Sequence, residues 1–256
     1  MTTTLDTPAS RPTQSTRVPM DPVRRSAFLG GAAYLITFAT SIPAVFLLRP
    51  VLNDPSYILG AGADTQVTFG TMLDLVNALA AIASAVVLFP VVKRQSEALA
   101  LGFVTTRLFE AAVIVIGVVS LLTVVSLRQP GASGAEADAL VVVGQSLVAT
   151  YDWTFLLGPN VMASLNALLL GTLLYRSGLV PRVLPVMGLV GAPMLLAVTI
   201  ATIFGLTEHG TVWWVVAAPI FAWELSLGLY LVFKGFKPSP VTDGLVTPTG
   251  HLHADA

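Results

Sequence analysis

Six long apolar runs constrain this chain more than any other feature of its sequence. They cover about residues 26–48, 67–92, 99–127, 154–175, 184–206 and 212–233. A helix needs about 20 apolar residues to cross a hydrocarbon core of roughly 30 Å, and each run meets that length. The sequence therefore predicts an all-α fold, a polytopic bundle of about six transmembrane helices.

The composition excludes an ordinary soluble domain. Of the 256 residues, 55% are hydrophobic and 11% are charged, whereas soluble domains average about 45–50% apolar and about 25% charged residues. Cysteine is absent, which excludes a disulfide framework, a thiolate metal site and a catalytic cysteine. The net charge of −1 comes without a basic cluster, so nothing indicates a nucleic-acid partner.

Both ends of the chain differ from its apolar middle. Residues 1–21 and 238–256 are rich in small polar residues and proline and lack hydrophobic periodicity. They bury too little apolar surface to offset the entropy cost of ordering. We expect two disordered cytoplasmic tails, with residues 22–237 forming one six-span membrane domain.

The distribution of Lys and Arg predicts the orientation, because positive residues near the ends of spans are retained in the cytoplasm. An inside N-terminus puts ten of these residues on the cytoplasmic side and only Arg49 and Arg128 outside. The ten are Arg11, Arg17, Arg24, Arg25, Lys93, Arg94, Arg176, Arg182, Lys234 and Lys237. The sequence thus predicts a multi-pass protein of the cytoplasmic (inner) membrane with both termini in the cytoplasm.

The stretch ADALVVVGQSLVATYDW, within residues 136–153, can be placed in two ways. It is rather apolar and precedes the pair Gly158-Pro159. A helix lying at the outer interface accounts for it, and so does an early part of the fourth span that is broken before the Gly-Pro pair. The sequence favours the interfacial helix.

Charged side chains inside the apolar runs are the candidate functional residues. Arg107 and Glu110 are three positions apart in the third span, which puts them on one helical face, and Glu224 lies in the sixth. Each charge costs about 2.5–3.5 kcal/mol at a helix centre, so all three should face the bundle interior. Counting about 1.5 Å per residue from the outer ends places them in the inner half of the membrane, where an Arg107–Glu110–Glu224 cluster can form.

A second polar site is predicted nearer the outer surface. Asp74 and Asn77 share the three-residue spacing in the second span, and Asp152 lies at the mouth of the fourth. Asp74, only about 10 Å deep, should lie apart from the Arg107 cluster and close to an outer vestibule with Asp152. For both groups two roles stay open: ion pairing that fixes the helix register, or a site for a ligand or proton.

Common catalytic and metal-binding constellations are missing from the sequence. The histidines His209, His251 and His253 fall in an outer loop and a tail on opposite sides of the predicted membrane. A histidine-liganded metal or haem is therefore not expected, and no intramembrane serine has a histidine partner. We expect no cofactor, no metal and no catalytic residue.

Three segments resemble one bacterial family. They are TTRLFEAAVIVIGVVSLL, LNALLLGTLLYRSGLVPRVLPVMGLVGA and FAWELSLGLYLVFKGF. They are similar to the integral membrane proteins of the domain of unknown function family 4386, and the resemblance covers roughly residues 22–237. It implies a multi-span membrane protein in which Arg107, Glu110 and Glu224 match the family's RxxE pair and sixth-span glutamate. It implies no reaction, substrate or cofactor.

The function predicted from these features is non-enzymatic binding of a small ligand, lipid or proton in a polar bundle interior, as a component of transport or sensing. Two alternatives remain. One is a membrane-embedded enzyme that uses buried carboxylates; the other is a structural or assembly subunit in which the Arg-Glu pair is purely a lock. The expected partners are the lipid bilayer and a small ligand or proton, and nothing indicates a particular protein partner.

Overall fold

A computed structural model of the chain describes residues 20–60, 62–207 and 211–244. The described residues form eight α-helices and no strand. The helices are α1 (Pro22–Leu47), α2 (Arg49–Asn53), α3 (Asp64–Val92), α4 (Glu97–Leu127), α5 (Ala135–Phe155), α6 (Ala163–Ser177), α7 (Val183–Ile203) and α8 (Thr211–Phe233), with 3-10 turns at Tyr57–Leu59 and Pro240–Thr242 and a π-helical segment at Leu156–Met162. The predicted all-α bundle with six apolar helices of membrane-spanning length is confirmed.

Six helical units of membrane-spanning length form a ring that follows the order of the chain. Helix α3 packs between α1 and α4, and α4 packs against the continuous helix made of α5, the π-helical segment and α6. Helix α7 lies between α6 and α8, and α8 returns to α1. The length and apolarity of these units are those of membrane-crossing helices, so the chain is a multi-pass membrane protein.

The start of the first helix, α1, lies beside the end of the last helix, α8. The Nη1 and Nη2 atoms of Arg24 donate hydrogen bonds to the carbonyl oxygens of Leu231 and Val232, at 2.9 and 2.6 Å. Arg24 thereby satisfies carbonyl groups in the last turn of α8. We call this end of the bundle the termini end. The opposite end, which carries the connections 48–63 and 128–134, is called the loop end. That the termini end faces the cytoplasm stays a prediction.

Residues 136–153 continue the fourth span, which corrects the interpretation of this segment as an interfacial helix. Helix α5 passes into the π-helical segment without a break and runs alongside α4. Ser120 Oγ donates a hydrogen bond to the carbonyl oxygen of Leu147, and a Cβ atom on Gly117 would lie 2.5 Å from Thr154 Oγ1. The position on α4 falls as the position on α5 rises, as in two antiparallel helices packed side by side. One apolar face of α5, with Leu140, Val141, Leu147 and Val148, therefore packs on the bundle, while Val142 and Val143 are exposed on the other face.

The π-helical segment follows from the local sequence Leu156–Met162, LLGPNVM. Pro159 has no N–H group, so in an α-helix the carbonyl of Phe155 would lose its partner four residues on. The side-chain amide of Asn160 donates a hydrogen bond to that carbonyl at 3.2 Å. The wider π-helical turn keeps the helix continuous across the proline, and π-helical turns of this kind are frequent at functional sites.

The loop end is covered by the connection between α1 and α3. Arg128 forms an ion pair with Asp64, and Tyr57 donates a hydrogen bond to the same carboxylate at 3.0 Å. Burial of Tyr57, together with this hydrogen bond, raises the pKa of its phenol. The connection is thus held to the first turn of α3 and to the end of α4 by polar contacts around one aspartate.

The start of the predicted C-terminal tail is corrected by the structure. Residues 238–244 pack against the termini end, where Ser239 Oγ donates a hydrogen bond to the carbonyl oxygen of Ser177 at 2.5 Å. The polar composition of this stretch suggested disorder, but the Ser239 hydroxyl satisfies a carbonyl at the end of α6, and Thr242 donates a hydrogen bond to the carbonyl oxygen of Ser239. The rest of the two predicted tails, residues 1–19 and 245–256, lies outside the described residues.

Candidate functional site

A cavity of about 350 Å³ lies inside the ring, in its centre and loop-end half. Its size falls within the roughly 300–1,000 Å³ of typical small-molecule sites. The polar and charged residues that line it are Thr37, Ser41, Arg49, Asp74, Asn77, Arg107, Glu110, Tyr151, Thr154, Asn160 and Glu224. Of these, Arg49 is exposed, and its guanidinium lies over the ring of Phe46. Apolar and aromatic side chains make up most of the remaining lining. The cavity therefore combines an apolar body with a few polar groups, as ligand sites commonly do.

Arg107 holds the predicted charged cluster together. Its Nη1 atom donates a hydrogen bond to Glu110 Oε2 at 3.0 Å, and its Nη2 atom donates one to Glu224 Oε1 at 3.1 Å. Arg107 is 3% exposed, so both ion pairs are screened very little by solvent. Helices α4 and α8 are not neighbours in the ring, so the pair Arg107–Glu224 bridges it from one side to the other.

Neutral polar and aromatic residues of two further helices support this cluster. Asn166 on α6 donates a hydrogen bond to Glu110 Oε2 at 2.6 Å and accepts one from Thr106. On the other side, the guanidinium carbon of Arg107 lies 5.1 Å from the ring centroid of Tyr34 on α1, within the range of a cation–π contact. The charged cluster thus ties together α1, α4, α6 and α8.

The hydrogen-bonding capacity left over in this cluster is acidic. Both Nη atoms of Arg107 are engaged by carboxylates, and its Nε atom is buried without a hydrogen-bond partner among the described residues. Glu110 Oε1 and Glu224 Oε2 receive no hydrogen bond from the described part of the chain, although both residues line the cavity. The cavity therefore offers spare carboxylate acceptors, while both Nη atoms of its one buried arginine are turned to their own partners and only its Nε–H group is left unpaired.

Asp74 and Asn77 line the same cavity as the Arg107 cluster, which corrects the prediction that Asp74 lies apart from it. Tyr151 on α5 donates a hydrogen bond to Asp74 Oδ2 at 3.1 Å. Gly117 makes room for Tyr151, since a Cβ atom there would lie 3.1 Å from the tyrosine ring. The sequence-based prediction separated Asp74 from the Arg107 cluster because the two lie at different depths along their helices. One cavity is long enough to reach both depths.

Asp152 does not belong with Asp74 and Asn77, contrary to the sequence-based grouping. It is exposed and lines a second cavity of about 150 Å³ at the loop end, between α5 and the connection 48–63. Successive residues of an α-helix are about 100° apart around its axis. Because Tyr151 faces the main cavity, its neighbour Asp152 must face elsewhere.

Several residues of the site had no signal that pointed to them in the sequence. Tyr34, Thr106 and Thr154 are neutral side chains inside apolar runs, where they look like ordinary packing residues. Asn160 did have a signal, because it follows Gly158-Pro159 and an asparagine beside a helix irregularity is a candidate partner for a freed carbonyl. Only the tertiary packing shows which of these side chains meet.

The chemistry available in the cavity is ion pairing, hydrogen bonding and proton uptake by carboxylates. Within residues 20–60, 62–207 and 211–244, no group of three or more His, Cys, Asp or Glu side chains has the arrangement of a metal site. Asp74, Glu110 and Glu224 are acidic groups in a largely apolar enclosure. Ionisable groups retained at such cost inside a membrane protein are candidates for a ligand or proton pathway.

Comparison with known proteins identifies a family without an assigned activity. No curated protein and no solved structure shows significant similarity to this chain. The family model described as Domain of unknown function (DUF4386) matches residues 29–235. That match covers nearly the whole bundle and every charged residue of the cavity. The chain therefore belongs to the Domain of unknown function (DUF4386) family.

Proposed function

We propose that this membrane protein binds a small organic cation in the cavity, without catalysing a reaction on it, as a component of transport or sensing. The observation that carries the proposal is the charge composition of the lining. Three acidic residues, Asp74, Glu110 and Glu224, face the cavity. They outnumber its two arginines: the Nη donors of Arg107 are already engaged, and Arg49 is exposed, with its guanidinium over the ring of Phe46. Buried charges need partners, and a cationic group would supply one.

The aromatic lining supports the choice of an organic cation. The side chains of Phe38, Phe155, Trp214 and Phe221 line the cavity together with the acidic residues. Aromatic faces attract ammonium groups through the ring quadrupole, and such contacts strengthen when the cation is desolvated. Without a ligand, protons on the carboxylates would balance the same negative charge. Binding of the cation should therefore release protons.

The test uses a matched pair of probes, benzyltrimethylammonium and benzoate. The protein is placed in nanodiscs of a neutral galactolipid, which has neither a net charge nor an ammonium group. Binding is followed by calorimetry and by tryptophan fluorescence, to which Trp213 and Trp214 at the cavity wall contribute. We expect saturable binding of the cation only. Calorimetry in buffers of different ionisation enthalpy should reveal proton release, and the affinity should fall as the pH is lowered because protons compete for the carboxylates.

Variants show whether the cavity carboxylates are responsible. Asp74→Asn and Glu224→Gln should each lower the affinity for benzyltrimethylammonium about tenfold or more, as expected for losing one ion pair with the cation in a desolvated site. Glu97→Gln, which removes an exposed carboxylate outside the cavity, should leave the affinity unchanged. Equal binding of benzoate, or unchanged affinity in both cavity variants, would refute the proposal.

The structural-lock alternative is also favoured by one observation, the ion pair that crosses the ring between Arg107 and Glu224. If the cluster only holds helices together, its removal should change stability, and benzyltrimethylammonium should not bind in the cavity. The binding experiment and the stability of Arg107 variants therefore separate the two functions.

A further inference from the structure

The cavity opens sideways, between α1 and α8. Most of its lining residues are buried or half-buried, and those that are exposed lie on only these two helices or just beyond the end of α1. They include Ile42 and Phe46 on α1, and Trp214 and Phe221 on α8. A residue that lines a cavity and is also exposed on the outside of a bundle marks an opening. We call this opening the lateral slit.

The lateral slit is bounded at one end by a contact between rings. Phe38 and Phe221 meet edge to face, with ring centroids 6.2 Å apart, and beyond them α1 and α8 are in contact down to the termini end. From Phe38 to Phe46 the slit extends along α1 for about 12 Å toward the loop end. It therefore extends over the loop-end half of the predicted hydrocarbon layer.

The edges of the slit are apolar apart from Arg49 at their loop end, whereas the cavity behind them is acidic. Ile42, Phe46, Trp214 and Phe221 present aliphatic and aromatic surface to the bilayer, and Asp74 and Glu224 line the cavity behind them. A ligand that enters from water has no need of an apolar slit in the membrane-facing surface. A ligand that is dissolved in the bilayer does, because its hydrocarbon part can remain in lipid while its head group reaches the carboxylates.

We infer that the ligand is an alkylammonium amphiphile, which enters the cavity from the bilayer through the lateral slit. Its ammonium head lies against the cavity carboxylates, and its alkyl chain passes between α1 and α8 into the lipid. This inference rests on the proposed function, because it uses the same carboxylates for the cationic head. It adds the class of ligand and the route of entry.

The experiment is photolabelling of the wild-type protein in galactolipid nanodiscs. The probe is an alkyltrimethylammonium with a diazirine in its dodecyl chain, and labelled residues are mapped by mass spectrometry. We expect label at Phe46 and Phe221 several-fold above Phe69 and Phe109, two phenylalanines that are similarly exposed but lie on α3 and α4 away from the slit. Excess benzyltrimethylammonium should remove the label at the slit and leave the other label unchanged.

Failure of this inference can be told apart from failure of the proposed function. If benzyltrimethylammonium binds but the diazirine labels all four phenylalanines alike, lateral entry of an amphiphile is refuted while cation binding stands. If benzyltrimethylammonium does not bind at all, the proposed function is refuted and this inference falls with it.

A further arm identifies the source of the ammonium group. Phosphatidylethanolamine is added to the nanodiscs, since its head group carries an ammonium group on a two-chain lipid. A lower labelling of the slit would show that a lipid head group occupies the site, and unchanged labelling would show preference for a free single-chain amphiphile. Both results support an ammonium amphiphile, whereas labelling that is displaced equally by phosphatidylglycerol would refute it.

Discussion

Helices α1 and α8 touch at one end of the bundle and separate at the other. At the termini end a Cβ atom on Gly31 would lie 2.7 Å from the carbonyl oxygen of Gly228, so the two backbones are in contact. At the loop end the same helices carry Phe38 and Phe221, and the lateral slit begins there. Small residues allow helices to approach closely in lipid. The distribution of glycine and phenylalanine along one helix pair thus decides where the ring is closed and where it is open.

The two ends also differ in how they hold charge. Near the middle of the bundle, Arg107 is buried and bound by two carboxylates on different helices. At the loop end, Arg128 pairs with Asp64, whose side chain is 41% exposed. A buried pair is costly to break because the remaining charge has no water to solvate it, whereas an exposed pair contributes little. The comparison predicts a graded series of effects.

The largest effect is expected for Arg107→Met. The substitution leaves Glu110 and Glu224 buried without their counterion, and breaking a pair of this kind typically costs about 3–5 kcal/mol. The free energy of unfolding in nanodiscs, obtained from denaturant or thermal titration, measures this loss. A large loss would show that the cluster stabilises the closed part of the ring.

The matched control for Arg107→Met is the triple variant Arg107→Met, Glu110→Gln, Glu224→Gln. It removes the whole charged set, so no unpaired charge stays buried, and most of the lost stability should return. A neutral or stabilising effect of Arg107→Met alone would contradict the structural role. It would mean that the charges are retained at a cost to folding, as a binding site can be.

A smaller effect is expected for Gly31→Ala, which tests the contact between α1 and α8. The new methyl group would meet the backbone of α8, which cannot move aside as a flexible side chain can. Overpacking of this kind costs about 1–3 kcal/mol, and the helices should separate at the termini end. The measurement is the free energy of unfolding in nanodiscs.

Gly102→Ala is the control for this substitution. Gly102 is also helical, but the nearest atom to an added Cβ is a side-chain carbon of Leu169 at 3.4 Å. Alanine should therefore be tolerated there and gain up to about 1 kcal/mol of helix propensity. Equal destabilisation by both substitutions would show that the approach of α1 to α8 is not special.

The sequence was sufficient for the helices and for the charged cluster. Membrane helices satisfy their own backbone hydrogen bonds, so the length and apolarity of each run determine that a helix forms. The cluster was predictable because charges in a membrane must be buried and paired. Arg107 and Glu110 share a helical face, and Glu224 lies at a compatible depth. Whether these residues serve a ligand or only the fold stays a prediction.

Three features could not be predicted from the sequence because they depend on packing between helices: the placement of residues 136–153, the direction of Asp152 and the lateral slit. Apolarity alone cannot distinguish the residues of α5 that contact α4 from residues that contact lipid, so the interfacial interpretation of 136–153 was wrong. Asp152 was grouped with Asp74 by depth, although its direction around the helix decides which cavity it lines. The lateral slit requires the positions of α1 and α8 relative to each other, and neither helix alone encodes them.

The smallest effect is expected at the loop end, for the ion pair between Arg128 and Asp64. A double-mutant cycle with Arg128→Gln and Asp64→Asn should give a coupling free energy of at most about 1 kcal/mol, and added salt should reduce it because Asp64 is reached by solvent. The corresponding cycle of Arg107→Met and Glu224→Gln should give a larger coupling that salt does not change. A strong, salt-independent coupling between Arg128 and Asp64 would contradict the expected difference between the buried ion pairs of Arg107 and the exposed pair at the loop end. It would mean that the loop end is as tightly closed as the centre of the bundle, and that the connection between α1 and α3 restrains the loop-end edge of the slit.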